Sequence, residues 1–514
     1  MRDPAPWLKK YEWLLGMACL LGLLGQYLFV SHEAGISVPL FVLAFYGVFF
    51  YGVQGRIGGF DKWRGQSRSA WLLFLPIALL SLTYVLYNNA VFRLFNPLAI
   101  LSLMIMQCVL ITRSSTQPWY RPAFYTDVLK HAVARPFEQL SVPFELIQGM
   151  LKWKDGQNQS GAAIRKILLG LLIAAPLLIV VVILLSSADS IFLSWVNYLP
   201  QLLPFTSMNN IVWRFIVAIV LALYSFCFIV GLLFRRPAER SLSSQLGGQS
   251  SAAFSELQSS AASKGELTEG KEKGADPLVA GTLFISINLV YVLFAVIQFT
   301  YLFGAANGLL PDGNSYSDYA RSGFAELVIV ALINLGLLLF GLCGIRKAGP
   351  ASELIRKMML TLLVGCTLVM LTSAYSRLSL YEEAYGFTQL RLLAHGFMIY
   401  LGVLLFIALF AIWYSRVPLA KSVLTWTLAF YVAMNYVNMD ARIAENNIAR
   451  FEQSGEIDIH YLSTLSMDAA PALMRLHSKH LEDLPIAGAV VEMKERAASD
   501  SSWQAWSMAR MRAR

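Results

Sequence analysis

The chain has 514 residues, of which 57% are hydrophobic and only 14% are charged. Soluble domains carry roughly 25% charged residues, so this composition argues against a soluble protein and indicates a membrane protein. The net charge of +9 does not require a nucleic-acid partner, because Lys and Arg gathered in cytoplasmic loops account for it.

Residues 1–112 contain four apolar runs, each close to the roughly 20 residues that cross a bilayer as a helix. The first run is longer than the core of a cleavable signal peptide, so we interpret it as an uncleaved span. Asn88 and Asn89 lie just before the fourth run. The four predicted transmembrane helices are Tyr11–Val30, Ile36–Val53, Ala70–Tyr87 and Leu94–Thr112.

Residues 113–166 alternate polar and apolar positions and are interrupted by Pro136 and Pro143. Two interpretations fit this pattern. The segment forms short amphipathic helices at the cytoplasmic membrane interface, or it is an ordinary cytoplasmic loop packed on the bundle.

Residues 167–234 hold the fifth and sixth predicted transmembrane helices, Ile167–Leu185 and Ile211–Phe234. The loop between them, Ser186–Asn210, has no Lys or Arg and contains Asp189, and Arg214 lies at the outer end of the sixth span. Residues 235–277 are rich in Ser, Gly, Gln, Glu and Lys. Such a segment buries too little apolar surface to fold, so we predict a disordered cytoplasmic loop.

Residues 278–439 are predicted to form transmembrane helices 7 to 11. The five predicted spans are Leu278–Phe303, Phe324–Cys343, Met358–Leu378, Leu392–Trp413 and Val423–Met439.

Residues 440–514 are too polar for a further span and are predicted to form a small helical domain. Its first helix ends at Gly455, because glycine commonly ends helices in the left-handed conformation. Asp458 is the predicted N-cap of the second helix, and Ser466 or Asp468 that of the third. A last amphipathic helix is expected to contain Trp503 and Trp506.

The distribution of Lys and Arg predicts the orientation. With the N-terminus in the cytoplasm and alternating spans, the inner segments hold 27 of the 41 basic residues, the outer loops hold 5, and the C-terminal tail after Met439 holds the remaining 9. This bias follows the positive-inside rule. The sequence therefore predicts an all-α polytopic integral membrane helix bundle of about 11 transmembrane helices. The N-terminus is then cytoplasmic and the small helical C-terminal domain extracytoplasmic.

Polar residues gather at the predicted outer face, above all in residues 375–391 between the ninth and tenth spans. Two interpretations remain open: a structural belt of ion pairs and hydrogen bonds, or a site for an anionic or lipid ligand. The cluster comprises Asp189, Arg321, Glu326, Arg377, Tyr381, Glu382, Glu383, Tyr385, Arg391, Asn438 and Asp440.

No cofactor or metal site is predicted. The pair His477 and His480 lacks a third ligand, and the five cysteines are read as small apolar packing residues. Nucleotide-binding, zinc-protease and hydrolase signatures are absent from the sequence.

The chain resembles a family of bacterial polytopic membrane proteins, domain-of-unknown-function family 4173, which is related to family 4153. The segments that carry the resemblance are SSADSIF, YARSGFAELVIVALINL, RLSLYEEAYGFTQLR, DARIAENNIARF and EIDIHYLSTLSMDAAPAL. The family has Asn-Pro-Asp where this chain has Asn438-Met439-Asp440. The resemblance implies a multi-pass protein of the bacterial cell membrane with a helical C-terminal part, and it implies no activity.

The leading functional hypothesis is a non-catalytic role in membrane transport or envelope sensing, with the lipid bilayer as partner and no nucleic acid. One alternative is an outer-leaflet enzyme acting on lipid-linked or cell-wall precursors. In that case Arg377 and Arg391 would hold phosphate, and Glu383 or Asp440 would act as base. A membrane scaffold is the third hypothesis. The sequence does not determine the oligomeric state.

Overall fold

The computed structural model describes residues 5–57, 68–153, 208–233, 276–305, 324–346, 349–414, 416–479 and 486–514. Within these ranges every regular element is a helix. The predicted all-α class is therefore confirmed for the described part of the chain. The fifth predicted span, Asp189, Arg321 and the predicted disordered loop up to residue 275 lie outside the described residues.

Within the described ranges, eight helices lie before residue 154 and eleven lie after residue 207. They are α1 (Ala5–Phe29), α2 (Ser37–Ile57), α3 (Arg68–Leu72), α4 (Phe74–Leu86), α5 (Ala90–Ile111), α6 (Pro122–Ala132), α7 (Ala134–Glu138), α8 (Ser141–Trp153), α9 (Met208–Leu233), α10 (Pro277–Ala305), α11 (Phe324–Cys343), α12 (Pro350–Tyr385), α13 (Gln389–Trp413), α14 (Leu419–Asn435), α15 (Met439–Ser454), α16 (Ile459–Thr464), α17 (Ala470–Lys479), α18 (Ile486–Ala498) and α19 (Met508–Ala513).

Seven stretches in the described residues are helical, long and apolar enough to cross a membrane. Two shorter apolar helices, Ser37–Val53 and Leu327–Leu342, coincide with the second and eighth predicted spans. Helix α14 covers most of the eleventh predicted span but has only 17 residues. The seven stretches are Tyr11–Phe29, Ser69–Leu86, Ala90–Ile111, Trp213–Leu233, Pro277–Ile297, Pro350–Tyr385 and Gln389–Trp413. They identify a membrane-type helical protein, and the total of about 11 spans stays a prediction.

The chain divides into two compact units. The first contains Met1–Val85, Asn96–Gln249 and Asp500–Ser507, and the second contains Leu86–Phe95, Ser250–Ser499 and Met508–Arg514.

In the first unit, α1 and α9 pack against each other through small residues. Gly22 lies against the backbone of Ala218, and Gly25 lies against Leu221. Glycine at these positions lets two helices approach closely, as is common in membrane bundles.

The two ends of this first unit carry different segments. At the N-terminal end of α1, the short helices α6–α8 pack against α9, where the Tyr224 hydroxyl donates to the Ala132 carbonyl at 3.1 Å. At the opposite end of α1, the α1–α2 turn holds the C-terminal segment Asp500–Ser507, since Ile36 N donates to the Trp506 carbonyl at 3.1 Å. This C-terminal segment therefore lies at the end of the unit away from α6–α8.

In the second unit, α10–α13 form a core with α12 at its centre. Helices α11 and α12 are antiparallel, with Asn334 Nδ2 donating to Thr367 Oγ1 at 2.9 Å. Asn288 Nδ2 of α10 donates to the Met359 carbonyl at 3.0 Å. These amides join neighbouring helices, which is the usual role of Asn within apolar spans.

The C-terminal helices of the second unit surround their own apolar core, which includes Ile443, Leu462, Leu473 and Met493. Gly455 has φ 73° and ends α15, as the sequence predicts. The two predicted caps are also present. Asp458 accepts from Tyr461 N at 2.9 Å, and Ser466 caps a 3-10 turn, Met467–Ala469, that leads into α17.

One prediction for this region is wrong. Trp503 and Trp506 do not lie in a last amphipathic helix, because Trp503 begins a 3-10 turn, Trp503–Ala505, and α19 starts only at Met508. Asp500 accepts a hydrogen bond from Ser502 N at 3.0 Å, which favours a turn at this point over a continuous helix.

Candidate functional site

The polar stretch 375–391 belongs to two helices of the second unit. Helix α12 continues to Tyr385, so Arg377, Tyr381 and the two glutamates lie in its last turns. Gly386 then adopts φ 83° and ends the helix, and Thr388 caps α13 by accepting from Arg391 N at 3.5 Å. A continuous helix through residues 377–391 is therefore excluded.

Arg391 stabilises the end of α12. Its guanidinium donates to the carbonyls of Tyr385, at 3.3 Å, and Gly386. It also lies 4.3 Å from the centre of the Tyr381 ring, in cation–π geometry. The last carbonyls of a helix lack partners within the helix, and a cation is favoured there. Arg391 therefore acts as a C-terminal cap for α12.

Glu382 forms a buried pair with His395 between α12 and α13. The distance from Glu382 Oε2 to His395 Nδ1 is 3.2 Å, and the two residues are only 4% and 7% exposed. The neighbouring Glu383 is exposed. Of two adjacent glutamates, one faces α13 and the other faces outward, as helical geometry requires.

Side chains of helix α15 hold the α12–α13 turn by hydrogen bonds to the backbone of the turn. Asn447 Oδ1 accepts from Phe387 N at 2.9 Å, and Asn447 Nδ2 donates to the Phe387 carbonyl at 2.8 Å. Arg450 adds a donor bond to the Ala384 carbonyl at 2.9 Å. A Cβ atom on Gly386 would lie 2.5 Å from Asn447 Oδ1, so the turn fits the amide only without a side chain there.

Asp440 attaches the same turn to the C-terminal helices. It is fully buried in the first turn of α15, and its Oδ1 accepts from Gln389 Nε2 at 2.6 Å. Its Oδ2 accepts from Ser466 N at 3.3 Å, and Gln389 N donates to the Tyr461 hydroxyl at 2.9 Å. Asn438 precedes the helix at φ 51°, a left-handed conformation that Asn tolerates better than most residues.

Asp468 is a second buried carboxylate next to Asp440. Its Oδ2 accepts from Asn88 N, in the α4–α5 turn, at 2.6 Å. Burial, with a smaller contribution from the charge of Asp440, raises the pKa of Asp468 to about 6 against the opposing effects of Asn88 N, Ser466 and Arg93. The sequence indicated Asp468 only as a candidate cap. The adjacent asparagines before the fourth span were the one signal that this turn has a partner.

The predicted cluster is thus brought together in part. Within the described residues, Tyr381, Glu382, Tyr385, Arg391, Asn438 and Asp440 all lie at or beside the α12–α13 turn. Arg377 lies two turns earlier on α12, and Glu326 lies in the first turn of α11. The antiparallel contacts of Asn334 with Thr367 and of Gly341 with Leu360 set a register that puts backbone position 326 level with Tyr375.

The contacts at the α12–α13 turn are thus made between buried side chains and backbone groups of the protein itself. No group of three His, Cys, Asp or Glu residues in the described ranges is placed to bind a metal ion.

The fold and this site define a class, an all-helical protein of membrane type whose C-terminal helices attach to the end of a helical hairpin. Residues 74–476 match the family model described as "Domain of unknown function (DUF4153)", so the chain belongs to this family. This is the family to which the sequence resemblance pointed as a relative, and membership of family 4173 stays a prediction. No curated protein and no solved structure matched the chain.

Proposed function

We propose that this chain is a multi-pass protein of the bacterial cell membrane with a non-catalytic, envelope-sensing role. In this proposal it has about 11 transmembrane helices, a cytoplasmic N-terminus and extracytoplasmic C-terminal helices. The C-terminal helices respond to the envelope, and the α12–α13 turn passes that response to two spans.

The connections that touch the C-terminal region support the orientation. In the first unit, Glu33 N of the α1–α2 turn donates to Asp500 Oδ2 at 2.9 Å. In the second unit, the α4–α5 turn and the α12–α13 turn bind Asp468 and Asp440. If the N-terminus is cytoplasmic and spans alternate, each of these turns is an outer connection. The excess of basic residues in the inner segments agrees with this assignment.

The observation that carries the sensing role is the attachment of the α12–α13 turn. Asn447, Arg450 and Asp440 together bind the chain from Ala384 to Gln389. Net hydrogen-bond contributions are about 1 kcal/mol each, and an unpaired buried partner costs more. A displacement of α15 therefore changes the energy of the turn and of the two long helices that it joins.

The enzyme alternative receives no support from Asp440 or Arg391, two of the residues that it would use. Asp440 is fully buried, and both its oxygens accept hydrogen bonds from protein groups. Arg391 is engaged with two carbonyls and a tyrosine ring, so it is not poised to hold a phosphate. Accessible acids and cations are needed for chemistry on a lipid-linked precursor.

The orientation is tested by labelling a cysteine introduced as Glu456→Cys, at an exposed position after α15. In intact cells we expect a membrane-impermeant maleimide to label this variant fully, with the unsubstituted protein as control for its native cysteines. Labelling only after the cells are opened would overturn the extracytoplasmic placement.

The coupling is tested by the matched pair Asn447→Ala and Asn446→Ala. Asn447 is buried on the turn, and Asn446 is exposed. Loss of one hydrogen bond of about 1.4 kcal/mol corresponds to about tenfold faster amide exchange. We expect hydrogen exchange, followed by mass spectrometry, to accelerate about tenfold at residues 386–392 in Asn447→Ala only. Equal exchange in both variants and the unsubstituted protein would contradict the coupling.

A further inference from the structure

The Glu382–His395 pair has features of a site that binds a proton. Both side chains lie in the helical hairpin α12–α13, and each is at least nine-tenths buried. One carboxylate oxygen, Oε2, faces imidazole Nδ1 at 3.2 Å. The other, Oε1, is buried without a hydrogen-bond partner among the described residues. An acid and a histidine in apolar helices are costly, and in membrane proteins such groups commonly serve proton transfer.

The second imidazole nitrogen has partners for either protonation state. His395 Nε2 lies 3.3 Å from Ser379 Oγ and 3.4 Å from the Tyr375 carbonyl. In the neutral ring, with Nδ1–H donating to Glu382, Ser379 donates its hydroxyl proton to Nε2. In the charged ring, Nε2–H donates to the Tyr375 carbonyl. Both imidazole nitrogens therefore have a hydrogen-bond partner in the neutral ring and in the charged ring.

Charge balance favours uptake of one proton. A buried carboxylate with a neutral imidazole carries a net charge of −1, and a proton taken from water onto the ring makes the pair neutral. Burial disfavours a net charge much more than a contacting pair of opposite charges. We propose that Glu382 and His395 bind and release one proton as a unit, with the ring as the acceptor and the carboxylate as its counter-ion.

The neighbouring elements place a few further ionisable groups near the pair. On α12, the Tyr375 ring lies 4.4 Å from the imidazole centre. Arg391 lies one turn before His395 on α13, and its guanidinium is stacked on the Tyr381 ring. Backbone position 326 of α11 is level with Tyr375, and α14 presents the apolar Met434 at Gly396.

This inference does not depend on the sensing role, because it concerns the hairpin alone. Its test measures proton uptake by the purified full chain in lipid nanodiscs when the pH falls from about 8 to about 5, the range in which histidine titrates. The variants are Glu382→Gln, His395→Gln and, as the matched control, the exposed neighbour Glu383→Gln.

We expect each of Glu382→Gln and His395→Gln to take up about one proton fewer per chain than the unsubstituted protein. Each substitution removes one member of the pair, so the proton loses either its acceptor or the counter-ion that offsets its charge. Glu383→Gln is expected to take up nearly as many protons as the unsubstituted protein. Uptake in the first two variants equal to that of the unsubstituted protein would overturn the proposal.

A second measurement needs no substitution and so does not depend on the folding of a variant. Exchange of the imidazole C2 hydrogen depends on ring protonation and can be followed for each histidine by mass spectrometry. We expect the rate at His395 to change sigmoidally between about pH 8 and about pH 5, the range in which histidine titrates. A rate at His395 that shows no transition would overturn the proposal.

Discussion

Two aspartates hold the C-terminal region in opposite ways, one in each unit. Asp500 lies at the surface of the first unit against the α1–α2 turn, and Asp468 lies buried in the second unit against the α4–α5 turn. For Asp500, slight burial raises the pKa, but hydrogen bonds from Ser502 and Glu33 N, with His32 nearby, outweigh it and lower the pKa to about 2. For Asp468, burial dominates and raises the pKa to about 6.

The difference shows that the same contact, a carboxylate on a backbone N–H, has opposite consequences in different surroundings. Asp500 has several donors, and the His32 ring lies 4.0 Å away. Asp468 shares its donor Ser466 with a second carboxylate, Asp440. The attachment through Asp500 is most favourable when its carboxylate is ionised. Ionisation of the buried Asp468 carboxyl, in contrast, costs free energy.

The two units also differ in the groups that join the C-terminal region to the rest of the unit. In the first unit, a Cβ atom on Gly35 would lie 2.6 Å from the Trp506 carbonyl oxygen, so two backbones meet directly. In the second unit, the C-terminal helices also hold the α12–α13 turn, and there the contacts come from buried side chains such as Asn447 and Asp440. The attachment in the first unit therefore includes a direct contact between backbones, which protonation of a side chain does not remove.

The comparison is tested most strongly by Asp468→Asn. The folded pKa of Asp468 is raised from 3.8 to about 6, so its contribution to stability is present below pH 3.8 and is lost as the pH rises through about 6. A difference of two pKa units corresponds to about 3 kcal/mol at pH 7 at most. Asn keeps an oxygen that accepts from Asn88 N without a charge.

We therefore expect Asp468→Asn to be more stable than the unsubstituted protein at pH 7, and this gain to shrink between pH 7 and pH 5. Thermal unfolding in detergent at several pH values measures it. A variant that is less stable at pH 7, with a difference that is constant with pH, would show that the ionised carboxylate is the favourable form.

The sequence predicted much of the fold because long apolar runs and helix caps are local signals. Gly455, Asp458 and Ser466 each end or begin a helix through contacts within a few residues, and each prediction is confirmed. The pairing of Asp468 with Asn88 joins residues 380 positions apart. No local pattern in one sequence encodes such a contact.

The same limit applies to the candidate site. The concentration of polar residues in 375–391 indicated a structural or ligand-binding role for this stretch. It did not distinguish the role of Glu382 from that of Glu383. The distinction depends on which face of α12 meets α13, and so on where Gly386 ends the helix. The two tryptophans near the C-terminus show the converse case, since an apparent amphipathic pattern is overridden by the turn that Asp500 and Ser502 form.

Asp500→Asn gives the smallest expected effect. It tests the exposed attachment in the comparison between Asp500 and Asp468. The pKa of Asp500 is lowered to about 2, so its contribution is present above about pH 4 and is lost only as the pH falls through about 2. Ion pairs and hydrogen bonds at a surface are screened by water, so we expect a loss below about 1 kcal/mol. Because the carboxylate stays ionised at both pH 5 and pH 7, thermal unfolding should show the same small loss at each. A loss that varies between these two pH values would mean that Asp500 titrates where Asp468 does, and the contrast between an exposed and a buried attachment would then fail.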